Sequence, residues 1–327
     1  MNEKHLSAKE FTDRIGGKKV LVIGDVMVDQ YLTGSTNRIS PEAPVPILLH
    51  NHTTLLPGGA ANVALNLSGL GAKVWIASVV GRDEMGEKLV QLLSENDIHT
   101  DLILASEHRM TTCKTRVMAG KQHLLRVDRE RIEPIQEFLL RRLLKMLNNI
   151  LEQHRFDVVI MQDYNKGILS EESIAAFLDT FNSWSIPVAV DPKYDNFYLY
   201  RKVALFKPNL AEIRASLPFP LEIEKDSLDR AADHLRSKLQ CDMIMITLSD
   251  QGIYLNSRVE SIWLPTQKRL IADVCGAGDT VISAAALALA EKLSMMDIAY
   301  WSGYCGTLVC QYPGVKPVSR SMILEQK

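Results

Sequence analysis

The chain has 327 residues, with 37 Lys and Arg against 39 Asp and Glu, a formal net charge of −2, and a hydrophobic fraction of 46%. Near neutrality argues against a general binder of nucleic acid or anionic membrane, which needs a basic excess. The apolar fraction excludes global disorder, and the length suits one large α/β unit, alone or with an excursion. Five cysteines, an odd number with no C-x-x-C pair, read as reduced intracellular thiols rather than a disulfide framework or a zinc site. The run Val20–Ile23 is too short for a signal peptide and meets Asp25 and Asp29, and Val281–Ala290 is too short for a membrane span. The expectation is a soluble cytoplasmic protein with no nucleic-acid or membrane partner.

In chain order, Lys19–Ile23 reads as a buried strand, and Tyr31–Pro57, with four prolines, breaks the pattern. Lys73–Val79 is a second strand and Asp83–Asn96 a helix. Thr111–Ala119 and Gln122–Val127 flank Gly120-Lys121 as a hairpin. Pro134–His154 is an amphipathic helix whose apolar face takes Phe138, Leu139, Leu143, Leu144, Leu147, Ile150 and Leu151. Strands at Asp157–Met161, Val188–Val190, Val203–Phe206 and Met243–Thr247 alternate with helices at Glu171–Trp184 and Asp226–Leu239, and a last helical run spans Val281–Leu293. Such alternation predicts an α/β fold with a mostly parallel sheet covered on both sides, and antiparallel excursions at about 31–57 and 109–129.

Three glycine patterns fail as nucleotide motifs. Gly24–Asp29 lacks the second and third glycines of the dinucleotide fingerprint, which argues against an NAD-dependent oxidoreductase. Gly69-Leu70-Gly71 lies in the wrong helix–strand order, and Gly81–Gly86 has a displaced lysine and a crowd of charges where phosphates would sit. Asp273-Val274-Cys275-Gly276-Ala277-Gly278-Asp279-Thr280 behaves differently, because it opens a helix. Gly276, Ala277 and Gly278 there expose backbone N–H groups to an anion, and Asp279 in the first turn can take the proton of an attacking hydroxyl. An N-capping aspartate beside tight-packing glycines is the bland alternative.

This segment resembles the C-terminal signature of the ribokinase-like (PfkB) carbohydrate kinases, and Pro57-Gly58-Gly59-Ala60-Ala61-Asn62-Val63-Ala64 resembles their N-terminal one. Asn209-Leu210-Ala211-Glu212 is similar to the family's N-x-x-E motif, and Gly81–Gly86 matches a common family segment. The motifs run in order from about residue 19 to 315. Gly24–Asp29, Arg38–Pro46, Asp163–Gly167 and Asp191-Pro192-Lys193 resemble one branch, the D-glycero-β-D-manno-heptose 7-phosphate kinases. Cys275 and Ala211 depart from the family's usual hydroxyl residues.

The resemblance implies a three-layer α/β/α fold with a small antiparallel β-lid, one kinase domain over residues 1–327, and a homodimer paired through the lid. It implies ATP-dependent phosphorylation of the anomeric hydroxyl of a heptose 7-phosphate, on the route to ADP-heptose for lipopolysaccharide core. Asp279 is then the base, with Gly276, Ala277 and Gly278 as the anion hole. Asn209, Leu210, Ala211 and Glu212 form the ATP site, Glu212 acting on Mg²⁺ indirectly through water or phosphate. A monovalent cation such as K⁺ near Asp273 is a further expectation. Asp25, Gly58, Gly59 and Asn62 are expected at the sugar, with Asp163, Asp191 and Lys193 as further substrate contacts.

For the sugar's phosphate, Arg109–Arg131 carries seven basic residues against Asp128 and Glu130, a local excess of five. Strand alternation puts Lys114 and Arg116 on one face, which with Arg126 and Arg38 makes four candidates. A solvated hairpin edge is the plainer reading. His50-x-His52 lacks a third ligand and reads as structural. Two alternatives stand beside the heptose kinase: a kinase for another sugar or sugar phosphate, such as fructose 1-phosphate or ribose, and a non-catalytic sugar-phosphate sensor. Some relatives carry a fused nucleotidyltransferase, and with about ten residues after Pro317 that activity is expected on a separate chain.

Overall fold

The computed structural model describes residues 5–266 and 270–325. Helix α1 (Ala8–Ile15) leads into β1 (Lys19–Gly24), the ribbon β2 (Val26–Ile39) and β3 (Pro46–Gly59), then α2 (Ala60–Gly69), β4 (Lys73–Gly81), α3 (Glu84–Ser94) and β5 (Ile98–Ser106). The hairpin β6 (Thr112–Ala119) and β7 (Gln122–Arg129) precedes α4 (Glu137–Gln153), β8 (Val158–Gln162), α5 (Glu171–Ser183), β9 (Val188–Asp191), β10 (Leu205–Phe206), α6 (Leu210–Ser216) and α7 (Lys225–Leu239). Then follow β11 (Met243–Thr247), β12 (Ile253–Asn256), β13 (Ser261–Leu264), α8 (Ala277–Ala290), α9 (Met295–Val309) and α10 (Arg320–Leu324).

The large sheet has nine strands in the order β13-β12-β11-β10-β9-β8-β1-β4-β5, parallel except at β12 and β13. Its β1 shows why three layers form. Val20 and Val22 pack with Ala61 and Ala64 of α2 and Ile282 and Ala285 of α8, while Leu21 and Ile23 pack with Leu143 of α4 and Phe177 of α5. A strand apolar on both faces must be covered twice, and each such side chain contributes roughly 1.5–3 kcal/mol on burial. The chain leaves β1 toward β4 on one side and returns to β8 on the other. This makes a switch point, and α/β folds open a crevice at such a point, beyond the C-terminal strand ends.

Helix α4 buries Leu139, Leu140, Leu143, Leu147 and Leu151, whereas Phe138 is 58% exposed. The apolar stripe is therefore nearly the expected one, with Leu139, Leu143, Leu147 and Leu151 at its centre, Leu140 joining it and Phe138 left out at its edge. The antiparallel excursion expected at about 31–57 is a ribbon of two 14-residue strands, and it starts at Val26 rather than Tyr31. Pro46 opens β3 and Pro57 lies within it, both on an edge strand of the small sheet, where proline is tolerated. That sheet runs β3-β2-β6-β7 and is antiparallel except for the β2–β6 pairing, which is parallel. All five cysteines are free thiols. Among the described residues, no helix is long and apolar enough to cross a membrane.

Candidate active site

The crevice gathers carboxylates. Asp279 lies in the first turn of α8, whose N-cap Gly276 takes φ +78°, the left-handed region that favours glycine. The first backbone bond of the turn runs from Thr280 N to Gly276 O, so the N–H groups of Gly278 and Asp279 precede the helical ladder. Asn62, on α2, donates to Asp279 Oδ2 at 2.7 Å, while Tyr164 OH, just past β8, and Gln162 Nε2, at its end, donate to Oδ1 at 2.8 and 3.3 Å. Burial pushes the Asp279 carboxyl up to about 6, and the neighbouring Asp191 charge adds to this. The donors Asn62 and Tyr164, and the Lys207 charge, pull the other way. A buried carboxylate near 6 is ionised at neutral pH yet basic enough to accept a proton.

Lys207, 2% exposed, reaches Asp191 at 3.0 Å. A Cβ built on Gly278 would lie 3.9 Å from its Nζ, so this ammonium overlooks the mouth of the α8 turn. Helix N-terminus and ammonium together make an anion cradle beside the Asp279 carboxylate.

Asn209 and Glu212 form a reciprocal capping box on α6: Glu212 N donates to Asn209 Oδ1 and Asn209 N to Glu212 Oε2, both at 2.9 Å. Lys193 pairs with Glu212 Oε1 and lies 5.3 Å from the centre of the Tyr164 ring. Burial works against the Lys193 charge, but Asp191 and Glu212 outweigh it and hold the ammonium above its ordinary value. One chain of contacts thus runs from Asp279 through Tyr164 and Lys193 to the N-x-x-E helix.

Two of the expected sugar contacts have their carboxylate oxygens taken by the protein. Asp25 is 1% exposed, and its oxygens accept the backbone N–H groups of Tyr164, Lys166 and Ile168 at 2.9, 3.0 and 3.0 Å. Burial and the Asp163 charge push it up to about 6, against those three amides. Its task is to pin the loop after β8. Asp163 is buried and accepts from Tyr200 OH, Asn196 Nδ2 and Asn165 N, so it faces the protein rather than the crevice. The carboxylate that does face Gly58 is Asp29, whose Oδ2 would lie 2.4 Å from a Cβ at that position. Gly59 ends β3 and caps α2, two elements that carry the chain from the small sheet to Asn62.

On the small sheet, Asp29, Lys114 and Asp128 are cross-strand neighbours, as are Tyr31, Arg116 and Arg126, so the three cations share one face. Arg116 pairs with Asp29 at 2.5 Å, Lys114 with Asp128 and Glu130 at 3.0 and 3.2 Å, and Arg126 with Asp128 at 3.0 Å. Lys166 shares Glu130 at 2.9 Å. Lys114, Arg116 and Arg126 are therefore each paired with an acid, Asp29 being the one that lies outside the segment. Arg38 is exposed at the far end of β2, on the order of 40 Å of strand from Asp25, and does not join the crevice. His50 Nε2 meets Thr53 Oγ1 at 2.8 Å, and no group of three or more potential metal ligands occurs among the described residues. Asp29, Gln162, Tyr164, Lys166 and Lys207 were missed as site residues. Asp29 and Tyr164 stand inside quoted motifs, and Lys207 is two residues before Asn209, so position relative to the strand ends was the usable signal.

Residues 17–321 match the pfkB family of carbohydrate kinases. The chain belongs to this family. It is an ATP-dependent sugar kinase with the ribokinase-like fold. Among curated pfkB relatives, the bifunctional protein HldE of Trichlorobacter lovleyi is 38% identical over 309 residues, covering 94% of this chain and 62% of that protein. HldE of Helicobacter pylori strain HPAG1 is 38% identical over 292 residues, covering 89% of this chain and 62% of the relative. The pfkB kinase described here thus spans about three-fifths of the length of these relatives. Its fold is shared with phosphofructokinase-2 of Escherichia coli in complex with potassium (TM-score 0.78, 19% identity, covering 94% of this chain and 97% of that one). It is shared too with ribokinase of Arabidopsis thaliana complexed with ribose and ATP (TM-score 0.72, 15% identity, covering 94% and 98%).

Proposed function

We propose that this pfkB kinase transfers the γ-phosphoryl group of ATP to the anomeric hydroxyl of a heptose 7-phosphate, with Asp279 as general base. The observation that carries the catalytic part is the placing of Asp279 inside the anion cradle of α8 and Lys207, with both its oxygens oriented by donors. The heptose part rests on the similarity to HldE proteins and on the resemblance of Arg38–Pro46 and Asp163–Gly167 to the heptose kinase branch.

In this reading the sugar hydroxyl sits against Asp279 and gives up its proton as its oxygen attacks phosphorus. The amides at Gly276–Gly278 and the Lys207 ammonium stabilise the charge on the transferring group. Asp29 and Asn62, with the glycine backbone at Gly58 and Gly59, hold the sugar hydroxyls. Lys114, Arg116 and Lys166 face the substrate phosphate once it competes for them with Asp29, Asp128 and Glu130. The donor set fits Mg²⁺ held by phosphates and water rather than by a protein cage, because both Glu212 oxygens are engaged. There Mg²⁺ would neutralise charge on the phosphates of ATP. Glu212 then acts indirectly, through Lys193 and ordered water.

The far part of the small sheet's other face carries Leu125 and Val127, 59% and 51% exposed. This supports a homodimer paired through the lid, and a monomer mass by light scattering at working concentration contradicts it.

ADP release over a panel of heptose 7-phosphate, fructose 1- and 6-phosphates, ribose and adenosine tests the substrate. Heptose 7-phosphate should lead, and preference for an unphosphorylated sugar overturns the reading. D279N should lower kcat by roughly two to four orders of magnitude with little change in sugar affinity.

A further inference from the structure

We propose that Tyr164 is a positioning residue for the base: its hydroxyl fixes the Asp279 carboxylate in one orientation and, through its ring, couples it to Lys193 and the N-x-x-E helix. The inference rests on the reading of Asp279 as base.

Three observations carry it. Tyr164 OH donates to Asp279 Oδ1 at 2.8 Å, and Gln162 Nε2 reaches the same oxygen at 3.3 Å, while Oδ2 accepts only Asn62 among the described contacts. The two-donor oxygen is saturated, so the second lone pair of Oδ2 is the place left for the attacking hydroxyl's proton. Tyr164 itself does not swing freely. Its own N–H and those of Lys166 and Ile168 are tied to Asp25, and Lys193 lies over its ring. Burial and the Asp279 charge hold the Tyr164 hydroxyl well above the ordinary tyrosine value, so it remains a donor across the working pH range.

A hydrogen bond to the ionised form of a carboxylate favours that form. The charged groups around Asp279 are Asp191 at the end of β9, Lys207 after β10 and Lys193 after β9, with the neutral donors Asn62, Gln162 and Tyr164. Y164F removes one donor and leaves the ring and every charge in place. The base should then protonate at higher pH.

The test is the pH profile of kcat for wild type, Y164F and Y200F. Tyr200 donates to Asp163 rather than Asp279, at 2.7 Å, so Y200F reports a buried hydroxyl lost near the same loop. For Y164F the acid limb should move up by about one pH unit. The plateau kcat should fall about 3- to 10-fold, with both KM values within about twofold. Y200F should leave the limb where it is. A ¹³C carboxyl titration of the free enzyme, with the Asp279 resonance assigned as the one lost in D279N, should show the same upward move without any turnover. An unmoved limb and resonance in Y164F overturn the proposal. So does a lowered sugar KM with kcat intact, which would mean that the hydroxyl occupies the sugar's place. Full turnover in D279N instead overturns the assignment of the base, which the titration does not depend on.

Discussion

Replacing Asp279, the proposed base, with its neutral isostere should make the protein more stable as it lowers activity. Asp279 is buried, and its carboxyl is raised from 3.8 to about 6. Each unit is worth 1.36 kcal/mol, so keeping it ionised in the folded state costs about 3 kcal/mol at pH 8. D279N removes that charge. Part of the gain is returned, because the new amide turns its N–H₂ toward either the Asn62 or the Tyr164 donor, a mismatch of about 1 kcal/mol. The net is about 2 kcal/mol. At roughly 2.1 cal/mol/K of unfolding entropy per residue, this raises Tm by about 3 °C for a chain of this length. The gain also has a pH signature. A carboxylate whose folded value is raised favours the native state below its unfolded value and loses that contribution as pH rises through about 6. Wild type should therefore catch up on acidification, and near pH 4 the amide mismatch should leave D279N no better than wild type. Urea unfolding of both proteins at pH 8 and pH 4.5 checks this. Equal stability at pH 8, or the same advantage at both pH values, refutes the argument that desolvation dominates at Asp279.

K207M should destabilise by roughly 3–5 kcal/mol, since it strands buried Asp191 without its partner, and adding D191N should recover most of the loss in urea. Additive losses in the double variant would show that the pair is not the reason. G59A places a Cβ 2.4 Å from Asp25 O at a residue with φ +60°, and should cost more than about 2 kcal/mol in thermal unfolding. In α4, L143A should cost roughly 2–5 kcal/mol and F138S less than about 0.5, because Leu143 is fully buried and Phe138 is exposed.

The parts legible in the sequence are those where one residue's character suffices. Strands β1, β8 and β11 are β-branched runs apolar on both faces, and no other local structure suits them. The α8 turn alone reads equally as a capped, tightly packed helix start, and it was readable as a site because Pro57–Ala64 and Asn209–Glu212 accompany it. Long strands β2 and β3 were hidden, since an edge ribbon tolerates proline and buries mainly its roots at Val26–Asp29 and Pro57–Gly59. The two carboxylates Asp25 and Asp29 show the deeper limit. Both follow β1 within a few residues, and which one meets the crevice depends on where one strand ends and the next begins. Lys207 had no signal of its own, because a buried lysine looks like a surface lysine until its partner Asp191, sixteen positions earlier in the chain, is brought beside it.

A single residue, Asp25, separates β1 of the large sheet from β2 of the small one, and β3 passes at Gly59 directly into the helix bearing Asn62. The lid is thus a cantilever with two fixed roots rather than a flap on a loose hinge. Any tilt of its far end becomes a torque on Asp25, which holds the Tyr164 loop, and on the first turn of α2, which holds Asn62. Exchanging lids between kinases of this family is therefore surgery on the surroundings of Asp279. Grafts made beyond the roots should leave the Asp279 carboxylate in place, whereas one residue inserted between Gly24 and Val26 should throw it out of line.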